Sequence, residues 1–160
     1  MLKEKIKKIV YLSLVIIWMI VVFSFSNENG NTSQNTSRTV TKTIIKTFTR
    51  EHEIEEERIE SKDCLIRKCA HFSIYTLGGI LIYNYINTLK LKENKKIIVS
   101  IILGILYAAS DEMHQYFVAG RSAQVLDVCI DSMGIILGVI INYLTKNGGI
   151  LYERKDRRNE

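Results

Sequence analysis

The sequence predicts an all-α integral membrane protein, a four-helix bundle with an amphipathic helix in its outer loop. Three observations predict it. The apolar residues are gathered into four blocks, although the mean hydropathy of the whole chain is only +0.06. Each block approaches the ~20 residues that an α-helix needs to cross a ~30 Å hydrocarbon core. The lysines and arginines gather at block ends, as topology signals do. The expected spans are residues 9–25, 65–86, 97–117 and 125–144, within a single domain of residues 1–160. An outer loop at 26–64 and a cytoplasmic tail at 146–160 complete it.

Composition excludes other classes. The net charge is +5, but the bases flank apolar blocks instead of forming the clustered patch that nucleic acid needs. The three cysteines, Cys64, Cys69 and Cys129, give no even disulfide framework, and no C-x-x-C spacing suggests zinc.

Residues 1–8 carry Lys3, Lys5, Lys7 and Lys8 ahead of the first apolar run. Ser24-Phe25-Ser26 could serve as a small-x-small cleavage site, but the run is long for a signal peptide and more spans follow, so an uncleaved first helix is expected. Residues 27–37, rich in Asn, Ser, Thr and Gly, read as a polar loop. From 38 to 50 the period becomes helical, with Val40, Ile44, Ile45 and Phe48 on one side and Lys42, Lys46 and Arg50 on the other. Such a helix can lie on anionic headgroups or pack over the end of the bundle. Residues 51–60 are strongly acidic and read as a solvated helical face, with His52 exposed.

The second block opens with Arg67, Lys68, His71 and Tyr75 within about 100° of one another on a helix. The third is clean until Ser110, then brings Asp111, Glu112 and Gln115 onto the face below Gly104 and Ala108. His114 is about 100° off that face. In the fourth block Asp127, Asp131, Gly134, Gly138 and Asn142 form one stripe, and Gly134 with Gly138 makes a GxxxG pair that admits a close neighbour.

The basic stretches at 3–8, 90–96 and 146–158 alternate as four spans require, which puts both termini in the cytoplasm. The start of span two, the end of span three, the loop with Arg121 and the start of span four then meet at the outer surface. Arg67, Lys68, His71, Tyr75, Asp111, Glu112, Gln115, Arg121, Ser122, Asp127 and Asp131 form the candidate cluster. An ionisable group at a helix centre costs about 2.5–3.5 kcal/mol on insertion scales, so such a cluster must be paired, wetted or used.

Three uses are open. Arg67, Lys68 and Arg121 could balance Asp111, Glu112, Asp127 and Asp131 in a network that fixes helix register. Arg121 and Lys68 could hold a phosphate or carboxylate. Or His71 with Asp127 and Asp131 could support hydrolysis, through a divalent cation or paired carboxylates. No HExxH or GxSxG motif is present, and no metal ligand set is assigned.

These residues resemble the VanZ-like family of small bacterial membrane proteins. The stretch Arg67-Lys68-Cys69-Ala70-His71-Phe72-Ser73-Ile74-Tyr75-Thr76-Leu77-Gly78 is similar to the family's R-K-x-A-H-F-x-x-Y-x-x-L-G block. Asp111-Glu112-x-x-Gln115, Gly120-Arg121-Ser122, Asp127 and Asp131-x-x-Gly134 are similar to its D-E-x-x-Q, P-G-R-S and D-x-x-x-[ND]-x-x-G elements. With their spans the two blocks cover most of residues 65–145. Ala119 stands where proline is common, in a chain with no proline, so the outer turn lacks the fixed φ that proline supplies.

The resemblance implies a four-helix, multi-pass protein of the bacterial cytoplasmic membrane. The family's named member is associated with resistance to teicoplanin and related lipoglycopeptides. The function implied is a contribution to such resistance through a polar site at the outer membrane face. The partners implied are membrane lipid and either a lipid-linked wall precursor or a lipoglycopeptide. A membrane-embedded hydrolase or transferase acting on a lipid or wall-precursor headgroup is the alternative.

Overall fold

The computed structural model describes residues 2–49, 56–121 and 124–156. Ser122, His52, the first half of the acidic segment and residues 157–160 lie outside the described residues. Among the described residues there are five helices and no strand: α1 Leu2–Ser26, α2 Gly30–Thr49, α3 Glu56–Ile86, α4 Glu93–Tyr116 and α5 Val125–Asp156.

Among the described residues three helices are long and apolar enough to cross a membrane: Leu2–Ser26, Glu93–Gln115 and Val125–Lys146. They contain the expected spans at 9–25 and 125–144 and nearly all of that at 97–117. The expected span at 65–86 lies within α3, which is not among the three. Its 31 residues would reach about 46 Å. The first half carries Lys62, Asp63, Arg67 and Lys68, and the second is diluted by His71, Asn84 and four tyrosine or threonine side chains.

The outside of the helices suits lipid. Ile9, Ile17, Ile20 and Phe23 on α1, Ile98, Ile102 and Leu106 on α4, and Met133, Leu137 and Leu144 on α5 are all exposed. The interior mixes an apolar core of Trp18, Val22, Tyr75, Ile82, Tyr83, Ile86, Ala108, Ile135 and Val139 with buried Ser100, Asp111, Glu112, Gln115, Asp131 and Asn142. That inversion is what a bilayer favours, because apolar surface gains nothing by leaving lipid and polar groups must find partners inside.

The most extensive packing is between α3 and α5. The GxxxG pair makes it possible: Gly134 lies against the backbone of Phe72, and Gly138 against the carbonyl of Thr76, where a Cβ would collide. Asn142 Nδ2 continues the stripe by donating to Ile80 O at 2.9 Å. The α1 helix is held by two long-range bonds, Trp18 Nε1 to Ile74 O at 2.9 Å and Tyr107 Oη to Met19 O at 2.7 Å. The Trp18 ring sits edge-on to Tyr75, 5.7 Å away.

The segment expected as an outer loop departs from expectation. Residues 30–37, expected as loop, belong to α2. The Asn29 side chain starts the helix by accepting from Asn31 N at 3.0 Å, and Thr39, Thr43 and Thr47 satisfy their hydroxyls on carbonyls one turn back. The α3 helix likewise begins well before residue 65, at Glu56. The buried stripe of α2 is Thr41 and Ile45, while Val40 and Ile44 are exposed. The face is displaced because Asp63, buried on α3, draws in Ser37 and Thr41, which donate to its Oδ1 at 2.5 and 2.9 Å. At the other end α5 continues through the expected tail to Asp156. The two glycines at 148 and 149 cost that helix about 1 kcal/mol each but do not end it.

Candidate functional site

The α3, α4 and α5 helices bring their polar positions together at the end of the bundle covered by α2. On α4, Asp111, Glu112 and Gln115 are buried on the same face as Gly104 and Ala108. From α3, Tyr75 Oη donates to Asp111 Oδ2 at 3.0 Å, and Gln115 Nε2 donates to the same oxygen at 3.1 Å. From α5, Asp131 is completely buried, with its Oδ1 3.5 Å from His71 Nδ1. One turn earlier Lys68 Nζ stands 3.5 Å from Asp127 Oδ1.

A cavity of about 630 Å³ opens among these groups. Arg67, Lys68, His71, Tyr75, Asp111, Gln115, Arg121, Asp127 and Asp131 line it, so nine of the eleven candidate residues share one space. The remaining two differ. Ser122 lies outside the described residues. Glu112 faces the start of α5, where its Oε1 accepts from Gln124 N at 2.7 Å, a helix-capping role. His114 is likewise elsewhere, stacked on Phe23 with centroids 4.6 Å apart.

Arg121 does not serve as a free anion receptor. Its Nε donates to Glu28 O at 3.0 Å, Nη1 to Gln115 Oε1 at 3.1 Å, and Nη2 to Phe25 O at 2.7 Å and Ser33 Oγ at 2.9 Å. It therefore ties the turn after α4 to the end of α1, the start of α2 and the Asp111–Gln115 pair. Burial pulls its pKa down from the ordinary guanidinium value, and the charges of Glu28, Asp111 and Glu112 oppose that. Arginine remains protonated under such a load. The turn itself holds Gly120 at φ 78°, and its backbone packs on Gly30, whose N–H donates to Ala119 O at 3.0 Å. Tertiary contacts thus supply the rigidity that a proline at 119 would give.

Arg67 also has a partner that sequence reasoning missed. Its Nε lies 3.5 Å from Asp63 Oδ2, one helical turn back. The i, i+4 spacing of Asp63 and Arg67 was the available signal. A second missed cluster lies at the opposite end of the bundle. Lys96 Nζ donates to Asn87 Oδ1 at 2.8 Å and Glu93 Oε1 at 2.7 Å, and Lys146 Nζ to Asn84 Oδ1 at 2.6 Å while standing 5.5 Å from the Tyr83 ring centroid. Those groups are satisfied.

The floor of the cavity is not. Asp111 Oδ1, both oxygens of Asp131 and Nδ1 of His71 are buried without a hydrogen bond. Among the described residues no three His, Cys, Asp or Glu side chains are grouped to hold a metal ion. Cys64, Cys69 and Cys129 are free and exposed. The arrangement offers buried carboxylate acceptors, an imidazole beside one of them, and a tyrosine hydroxyl committed to the other.

No match was found among curated proteins or among solved structures. The VanZ/LLP1 family model matches residues 11–146, which runs from within α1 through most of α5 and takes in every residue of the cluster, and the chain belongs to that family.

Proposed function

We propose that this protein is a four-span membrane protein that lowers susceptibility to lipoglycopeptide antibiotics of the teicoplanin type, with the cavity at the outer face as its working site. The observation that carries the site is the convergence of His71, Tyr75, Asp111, Gln115, Asp127 and Asp131 on one cavity at one end of a bundle with an apolar exterior. Intramembrane ionisable residues that line a cavity are functional candidates by default. The antibiotic part comes from family membership and is an inference by analogy.

In this reading the second half of α3 is the second span, and α2 is the amphipathic helix over the outer end. The basic stretches at 3–8, 90–96 and 146–158 keep both termini in the cytoplasm of a bacterial cell. The cavity then faces the side on which these acylated drugs and the lipid-linked wall precursors meet. The partner is a membrane lipid, a precursor or the drug itself.

A second reading is favoured by one observation, the 3.5 Å approach of His71 to Asp131 inside the cavity. A carboxylate-oriented imidazole is the core of many acid–base sites, so a hydrolase or transferase acting on a lipid or wall-precursor headgroup is the alternative. Expression in a susceptible host, with membrane insertion verified, tests the shared claim. A raised teicoplanin inhibitory concentration is expected, and unchanged susceptibility refutes the resistance role. Mass spectrometry of membrane lipids and wall precursors separates the classes: a new product marks an enzyme, and unaltered profiles mark a binding or envelope-remodelling protein.

A further inference from the structure

At the floor of the cavity carboxylate oxygens outnumber the donors that remain, which are His71 Nδ1 and Ser26 Oγ. The Tyr75 hydroxyl and the Gln115 amide both go to Asp111 Oδ2. Arg121 spends its Nε, Nη1 and Nη2 on Glu28, Gln115, Phe25 and Ser33. Left over are Asp111 Oδ1 and both Asp131 oxygens, on residues 4% and 0% exposed, with only His71 Nδ1, 3.5 Å from Asp131 Oδ1, beside them. Buried carboxylate oxygens without partners are costly, and a native structure that keeps them calls for a ligand, a proton or water.

The complement of that floor is a compact cation rich in N–H donors. A metal ion lacks the third grouped ligand among the described residues. A primary ammonium has three donors and no acceptor, and the acceptors open to it are Asp111 Oδ1 and Asp131 Oδ2, with Asp131 Oδ1 shared with His71 Nδ1. Elsewhere the same cavity is lined by Val22, Val40, Ile66 and Ile74, a surface for a hydrocarbon chain. Arg67 and Lys68 also line it, with side chains 46% and 30% exposed, so an anionic group attached to the ammonium has cations to face.

We propose that the cavity binds a membrane lipid whose headgroup carries a primary amine next to a phosphate, with the ammonium held by Asp131 and Asp111. This rests on the reading of the cavity as the working site and names the class of its ligand. A lipid is the occupant favoured because one cavity presents the buried acceptors, the half-exposed cations and the apolar wall together, inside a bundle whose exterior is apolar.

The test uses the full chain, purified in detergent and titrated with short-chain phosphatidylethanolamine, phosphatidylcholine and phosphatidylglycerol of identical acyl length, with bound lipid counted by native mass spectrometry. Phosphatidylcholine keeps the positive charge but loses every N–H donor, and phosphatidylglycerol keeps the phosphate alone. Phosphatidylethanolamine is expected to bind at least tenfold more tightly than either. Asp131→Asn is expected to lower its affinity about tenfold and to shrink its preference over phosphatidylcholine. Asp111→Asn, run in parallel, serves if the first variant does not fold. Equal binding of the three lipids, preference for phosphatidylglycerol, or full ethanolamine selectivity in the folded variants overturns the proposal. The readout contains no antibiotic. A chain that raises inhibitory concentrations but binds the three lipids alike overturns this inference and leaves the function above standing, and the converse result does the opposite.

Discussion

Asp131 is completely buried 3.5 Å from Nδ1 of His71, and neither of its oxygens accepts a hydrogen bond. A residue kept only for stability would not be left this way. Losing one partner of a true buried ion pair costs about 3–5 kcal/mol, whereas removing a charge that lacks adequate partners costs little. Asp131→Asn should therefore change thermal stability in detergent by no more than about 1 kcal/mol in either direction. A loss in the 3–5 kcal/mol range, measured by a thermal or denaturant melt, would show that the pair serves helix register.

Arg121 makes the opposite case. It satisfies two backbone carbonyls and two side chains on three different segments. Lysine cannot reproduce that fork, so Arg121→Lys should behave as a non-conservative change. We expect about 2–3 kcal/mol of destabilisation, on the scale of hydrogen bonds to charged groups. Faster proteolysis at the start of α2 should accompany it. Wild-type stability and protease resistance in the lysine variant would remove Arg121 from this role.

The seam between α3 and α5 gives a packing prediction. A methyl group at Gly138 would meet the carbonyl of Thr76, which is backbone and cannot turn aside. Gly138→Ala should lower stability by about 1–3 kcal/mol through overpacking. The same change at Gly149, in the helix beyond the seam, should be neutral or slightly stabilising, since alanine is the better helix former. Equal effects at the two positions would contradict the seam.

Much of this was legible in the sequence, and the physical reason is periodicity. Asp111, Glu112 and Gln115 share a face with Gly104 and Ala108 because a 3.6-residue repeat puts them there, and the structure buries all five. The GxxxG pair announced a close neighbour, though not that α3 would be that neighbour. What the repeat could not show was which partners each group would choose. Anion binding by Arg121 stays open in the sequence because half of its acceptors are backbone carbonyls, which leave no trace in side-chain identity. Which side of α2 is buried was not legible, because Asp63, a single carboxylate in a polar stretch, recruits Ser37 and Thr41 and turns Thr41 and Ile45 inward in place of Val40 and Ile44.

Orientation is tested by placing single cysteines at the two ends of the bundle. Gly30 is pressed against Gly120, so a cysteine there would disturb the turn. Cys64 is already exposed near the start of α3, and Asn94 is exposed at the start of α4. With Cys64 as the sole cysteine, an impermeant maleimide should label intact cells. With Asn94→Cys as the sole cysteine, labelling should require permeabilisation. Labelling of position 94 in intact cells would reverse the topology and turn the cavity to the cytoplasm.

The most direct measurement is the teicoplanin inhibitory concentration of a susceptible host expressing equal membrane amounts of the wild-type chain, Asp131→Asn, or Lys146→Met at the opposite end of the bundle. Protection by the wild type and by Lys146→Met, with loss of at least most of it in Asp131→Asn, is the result predicted. Protection by Asp131→Asn equal to that of the wild type would contradict the assignment of the cavity as the working site.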